Sequence, residues 1–137
     1  MHEGNGAIFL RFIEEVINGG NLAAVDELVS FRYVDHDPVL GMAPDREGLK
    51  KTVAALRAAF PDLHSNVEEL LEVGDKVVYR GTLRGTSLGE LMGMEPTGMP
   101  FKVTEIHIDR IVGGRIVEHW GLVDEMGVME QLGGSPP

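Results

Sequence analysis

Cysteine is absent from all 137 residues. That excludes disulfides, thiolate metal sites and cysteine nucleophiles, and it fits a reducing, cytoplasmic setting. Basic residues are scarce: 12 Lys and Arg against 22 Asp and Glu leave a formal charge of −10. Nucleic acids and anionic membrane surfaces both require a basic footprint, so neither is expected as a partner. No apolar stretch approaches the length of a membrane span, and the opening MHEGNGAIFLRFIEE has no basic segment leading into a long apolar run, so no signal peptide is expected. The common catalytic signatures are missing as well. There is no GxSxG elbow, no GxGxxG after a strand, no GxxxxGK[ST] and no HExxH. Neither a cofactor nor a metal is therefore expected.

What is present is ordinary globular composition, 43% hydrophobic and 25% charged. The length suits one domain over residues 1–137, with a frayed tail from Gly133 to Pro137. Ile8, Phe9, Phe12, Ile13, Val16 and Ile17 recur at helical spacing and stop at Gly19-Gly20. Asn21 is placed to cap a second helix with the face Leu22, Val25, Leu28 and Val29. Asp45 is placed to cap a third, whose stripe is Leu49, Val53, Leu56 and Phe60. Between them, Phe31 to Val34 reads as a brief strand ending at Asp35-His36-Asp37-Pro38. Beyond Pro61 the chain reads as strands. Gly74-Asp75 joins Leu63–Val73 to Lys76–Thr86, and Gly113-Gly114 joins two further strands within Phe101–Gly127. Helices first and strands after indicate an α+β domain, with three N-terminal helices packed on one face of a mainly antiparallel sheet. Bending that sheet would leave a cavity at its open end.

Counting outward from Gly113-Gly114 pairs Val112 with Arg115 and sets His107 across from Trp120. One face then carries Val103, Glu105, His107, Asp109, Ile111, Ile116, Glu118, Trp120, Leu122 and Asp124. The other is more aliphatic, with Ile106, Ile108, Val117 and Val123 beside His119 and Arg110. A period-two pattern defines two faces without naming the inner one. In this register His119 joins His107 only if the strand bulges. Asp124 stands at a strand end beside Trp120 and Leu122, as a desolvated base for a carbon acid or as a cap for the next helix. Arg80 reads either as a carbonyl-polarising group or as an outward arginine. His36 is either a turn residue or a group on a pocket rim. Ser87 to Pro100, with Met92, Met94 and Met99, reads as a loop and a candidate lid.

The ordered set NGGNLAAVDELV, YVDHDP, AALRAAFPDL, VVYRGTLRGT, MGMEPTG and IDRIVGGRIVEHWGLVDEMGVMEQLG resembles the SnoaL-like polyketide cyclases of the nuclear-transport-factor-2-like superfamily, over about Phe9 to Leu132. The resemblance implies a cone-shaped curved antiparallel sheet on three helices (NTF2-like, cystatin-like) around an apolar cavity. It also implies intramolecular aldol ring closure of an apolar polycarbonyl substrate without cofactor or metal. Carried over residue by residue, it makes Asp124 the general acid/base, has His107 bind the carbonyl that becomes the enolate, and places His36 in the pocket lining. Arg80, Trp120, His119, Met92 and Phe60 complete the residues expected to touch ligand. The superfamily also holds isomerases, epoxide hydrolases and plain binding modules, which remain alternatives. With the pocket on one face, the aliphatic set on the other is expected to bury in a homodimer or tetramer.

Overall fold

The computed structural model describes residues 4–133, so His2 and the tail residues 134–137 fall outside it. Helix α1, Asn5–Arg11, runs directly into a π-helical stretch, Phe12–Asn18. Gly20, at φ +68°, ends this stretch. The Asn18 side chain pins it to the sheet, donating to Ser65 O at 3.1 Å and accepting the Ser65 N–H at 2.7 Å. Helix α2 is Ala23–Leu28, and its N-cap is Leu22, without a side-chain cap. The expected Asn21 cap is thereby corrected. Helix α3, Arg46–Ala59, does begin as expected, with Asp45 accepting the Gly48 N–H at 2.8 Å.

The strands are β1 Val29–Asp35, β2 His64–Val73, β3 Lys76–Thr86, β4 Pro100–Val112 and β5 Arg115–Val123, followed by α4 Glu125–Gln131. They form one sheet in the order β1-β5-β4-β3-β2. The pairs β2/β3, β3/β4 and β4/β5 are antiparallel, while β1 joins β5 in parallel. Both two-residue turns form as read: Val73 faces Lys76, and Val112 faces Arg115 across glycines at φ +61° and +78°. Positive φ at both central positions is what a tight hairpin with right-handed strand twist requires.

The concave face holds two apolar clusters. One gathers Phe9, Phe12, Val16 and Leu28 from the helices with Val77, Tyr79, Ile111 and Ile116 from the sheet. The other gathers Phe60, Leu63, Phe101, Val103 and Leu132. On β4 the inward residues run Phe101, Val103, Glu105, His107, Asp109, Ile111, so a polar band separates the clusters. Among the described residues, no helix is long and apolar enough to cross a membrane.

Candidate functional site

One extra residue in β5 builds the site. Ile111 pairs with Ile116, but Arg110 pairs with Glu118, leaving Val117 unpaired as a β-bulge. Beyond it every side chain of β5 changes face. This corrects the register expected from the turn: His107 stands across from Gly121, and Trp120 stands across from Ile108 on the convex side. His119 moves to the concave side, opposite Asp109, and its β1 neighbour is Asp35.

The result is a continuous row of hydrogen-bonded side chains drawn from all five strands. Asp35 Oδ1 lies 2.9 Å from His119 Nδ1, His119 Nε2 lies 2.9 Å from His107 Nδ1, and His107 Nε2 lies 2.7 Å from Glu105 Oε1. Ser65 Oγ donates to Glu105 Oε2 at 2.8 Å and is itself bonded to the Tyr79 hydroxyl. Glu105 is 5% exposed and Asp109 2%, while the His107 and His119 side chains each keep 17%. The two histidines and Asp35, whose side chain keeps 16%, are therefore the row members a ligand can reach. Gly121 makes their meeting possible, because a Cβ there would overlap His107 Nδ1 and press on His119 Nε2.

Hydrogen-bond bookkeeping fixes the charge of this row. Each of the three contacts between Asp35, His119, His107 and Glu105 joins two atoms that need one proton between them. Three protons on two carboxylates and two imidazoles give a net charge of −1: each imidazole keeps one, and the third is a surplus that can sit on any of the four groups. Burial pulls the His119 pKa down, but the Asp35 hydrogen bond and the charges of Asp109, Asp35 and Asp37 outweigh it, and the net shift is upward. At Asp35 burial works upward, yet the hydrogen bond and charge of His119 bring it below the usual carboxylate value. Between these two groups, the directions favour the surplus proton on His119 over Asp35. Burial pushes Asp109 up to about 6 and the Tyr79 phenol up to about 12.

The other residues singled out from sequence lie elsewhere. His36 is exposed, bonds Glu118 Oε2 at 2.8 Å and stacks on Trp120 at 4.6 Å, with Lys76 Nζ 5.7 Å from the same indole. Arg80 pairs with Ile106 on the convex face and reaches Glu69 at 3.3 Å. Asp124, expected to be buried, is exposed, and its Oδ1 accepts the Gly127 N–H at 2.9 Å as the N-cap of α4. Phe60 is buried against Phe101, with ring centroids 4.9 Å apart. It lines a pocket of about 60 Å³ with Leu91, Met94, Met129 and Leu132. Met92 is 69% exposed, at φ +50°.

Sequence reasoning missed Asp35, Ser65, Tyr79 and Glu105 as one assembly. The signal was the alternation Glu105-x-His107-x-Asp109, three ionisable groups on one side of a strand whose flanking positions, Val103 and Ile111, are core. Among the described residues, no group of three or more His, Asp or Glu is arranged to hold a metal ion.

A sequence profile for the SnoaL-like polyketide cyclases matches residues 7–132. The aklanonic acid methyl ester cyclase DnrD of Streptomyces peucetius is 33% identical over 130 residues, covering 90% of this chain and 88% of that protein. The nogalonic acid methyl ester cyclase of Streptomyces nogalater is 31% identical over 123 residues, covering 88% and 91%. The crystal structure of wild-type IdmH from Streptomyces antibioticus superimposes with a TM-score of 0.85 at 34% identity, covering 96% of this chain and 99% of that one. The match along nearly the whole chain, on the same curved sheet and helices, means that this chain belongs to the SnoaL-like polyketide cyclase family.

Proposed function

We propose that this protein is a cofactor-independent acid/base enzyme that closes a ring in an apolar polycarbonyl ester by intramolecular aldol condensation. The observation that carries this reading is the row Asp35–His119–His107–Glu105, set between two apolar clusters. Such a reaction asks for little more than the row contains. A proton on a carbon flanked by carbonyls leaves to the row, where one imidazole nitrogen lets go of its row partner to receive it, and the row charge rises from −1 to zero. The enolate carbon attacks the second carbonyl, forming the new carbon–carbon bond and an alkoxide. The row returns a proton to that oxygen and regains its charge, so no oxidant, reductant or water is consumed. Water exclusion by the apolar flanks strengthens every charge interaction along this path. His107 and His119 meet the substrate, and the carboxylates hold them. Phe60 and Met94 shape the far end of the site. Asp124 acts as a helix cap in this reading, and Arg80, His36 and Trp120 belong to the convex face, which we assign to a homodimer or tetramer contact. A cytoplasmic location fits the lack of cysteine.

The test uses aklanonic acid methyl ester, the substrate class named in the relatives. The purified protein should convert it to a ring-closed isomer of unchanged mass. His107→Asn and His119→Asn should each slow conversion at least about 100-fold, the usual scale for loss of a positioned acid or base. Binding of the ester without ring closure, with this or any other polycarbonyl ester, would instead establish a non-catalytic binding module.

A further inference from the structure

We propose that Asp109 is a positioning residue of this site: its buried, unpartnered Oδ1 holds the mobile proton of the row on the His119 ring. The geometry within the row does not choose a seat for that proton. It can rest on Asp35, His119, His107 or Glu105 merely by shifting protons within hydrogen bonds that already exist. Imidazoles are more basic than carboxylates and the Asp35 hydrogen bond favours the His119 ring, and a charge outside the row that lies nearer His119 adds to that choice. Asp109 is such a charge, with Asp37 as a second. Asp109 Oδ1 is 3.9 Å from His119 Nε2, and Asp109 is paired directly with His119 across the β4/β5 ladder. A full charge at that distance in a low-dielectric interior displaces a proton equilibrium by about tenfold or more.

Asp109 has no competing employment. It is 2% exposed, and Oδ1 has no hydrogen-bond partner. A buried carboxylate oxygen without a donor is costly and calls for an explanation. A neighbouring imidazolium supplies one. The titratable groups around it are Tyr33 and Asp35 from β1, His119 from β5 and His107 along β4, while its β3 partner is the apolar Val77. The two histidines lower its pKa and Asp35 raises it, and burial is the largest cause of its rise to about 6. For His119, the charge of Asp109 ranks next after burial, which acts oppositely, and the Asp35 hydrogen bond. With Asp109 ionised, His119 stands ready as the acid and Glu105 stays an anion at the far end.

The kinetic part of this inference rests on the cyclase reading, and the proton placement does not, so two readouts separate them. Ring ¹⁵N shifts of the free protein should show His119 protonated on both nitrogens at about neutral pH. Its midpoint should lie above the ordinary 6.5. In folded Asp109→Asn that midpoint should fall by at least about one unit, the shift expected from losing a close opposite charge. An unchanged midpoint, or a neutral His119 in the wild type, overturns the proposal. Should the variant fail to fold, the wild type decides alone. The Asp109 carboxyl carbon should titrate near 6 and perturb the His119 nitrogens at the same midpoint, and independent titrations overturn it. With aklanonic acid methyl ester, Asp109→Asn should lower kcat, leave KM unchanged and move the alkaline limb of the pH profile downward. If the wild type closes no ring, the cyclase reading falls while the nitrogen shifts still decide where the proton sits.

Discussion

Two aspartates, Asp109 and Asp124, show how much a carboxylate's behaviour depends on where its strand leaves it. Asp124 keeps its side chain in water and bonds the first turn of α4. Asp124→Asn should therefore leave turnover and melting temperature nearly unchanged, because asparagine caps about as well, whereas Asp124→Ala should cost about 1 kcal/mol in thermal unfolding. Loss of turnover in a folded Asp124→Asn protein would return the base to that residue. Asp109 gives a pH signature instead. Its folded value of about 6 lies above the ordinary 3.8. A group raised in this way stabilises the fold below its ordinary value, and that contribution is lost as pH rises through 6. About two units correspond to about 3 kcal/mol. Asp109→Asn removes this loss, so its melting temperature relative to wild type should climb by about 5–10 °C between about pH 4 and pH 7. The weakened His119 pairing works against that gain. It does not cancel it, because the Asp109 shift is upward even with His119 beside it.

At the scale of elements, the β-bulge at Val117 governs the site. Before it, the pairing follows the count from Gly113-Gly114, and beyond it His119, Gly121 and Val123 face inward while Glu118, Trp120 and Leu122 face outward. Deleting Val117 should remove the bulge and keep every pair beyond it, because Arg110 already faces Glu118, so His119 and Gly121 stay inward and Trp120 and Leu122 stay outward. The expected result is retained amide dispersion in NMR spectra and cooperative unfolding, with the His119–His107 contact intact. A deletion variant in which Trp120 turns inward, or which loses its fold, would refute the assignment. The turns, the Asp45 cap and the apolar stripe of α3 were legible because each depends on a few neighbouring residues. The bulge was not, since Glu118-His119-Trp120 carries no glycine or proline to mark it, and its driving force is the packing of three other strands.

Seen as a whole molecule, the sheet wraps the helices with its concave side and leaves an unusually apolar convex side. Leu122 at 76% exposure, Ile106 at 49% and Leu71 at 49% all stand in solvent. Exposed residues of this kind on one side of a sheet mark an association surface. A homodimer at micromolar concentration is the expected result in light scattering, and Ile106→Lys with Leu122→Lys should yield a folded monomer. A wild type that is strictly monomeric would rule the surface out. Val123, first grouped with this aliphatic set, instead packs inside against the Phe101 cluster.

By itself the sequence determined the α+β order of elements, the two tight turns, the absence of thiol chemistry and the family, because these follow from local pattern and from residues read in chain order. It also supplied His107 and His119 as candidates. Only the tertiary structure decided that they touch, that Asp35, Glu105, Ser65 and Tyr79 extend them into one row, and that Asp124 does not join it. The physical reason is the alternation of a strand: one unpaired residue, Val117, inverts every face beyond it, and the energy that selects the bulge lies in contacts between strands far apart in the chain.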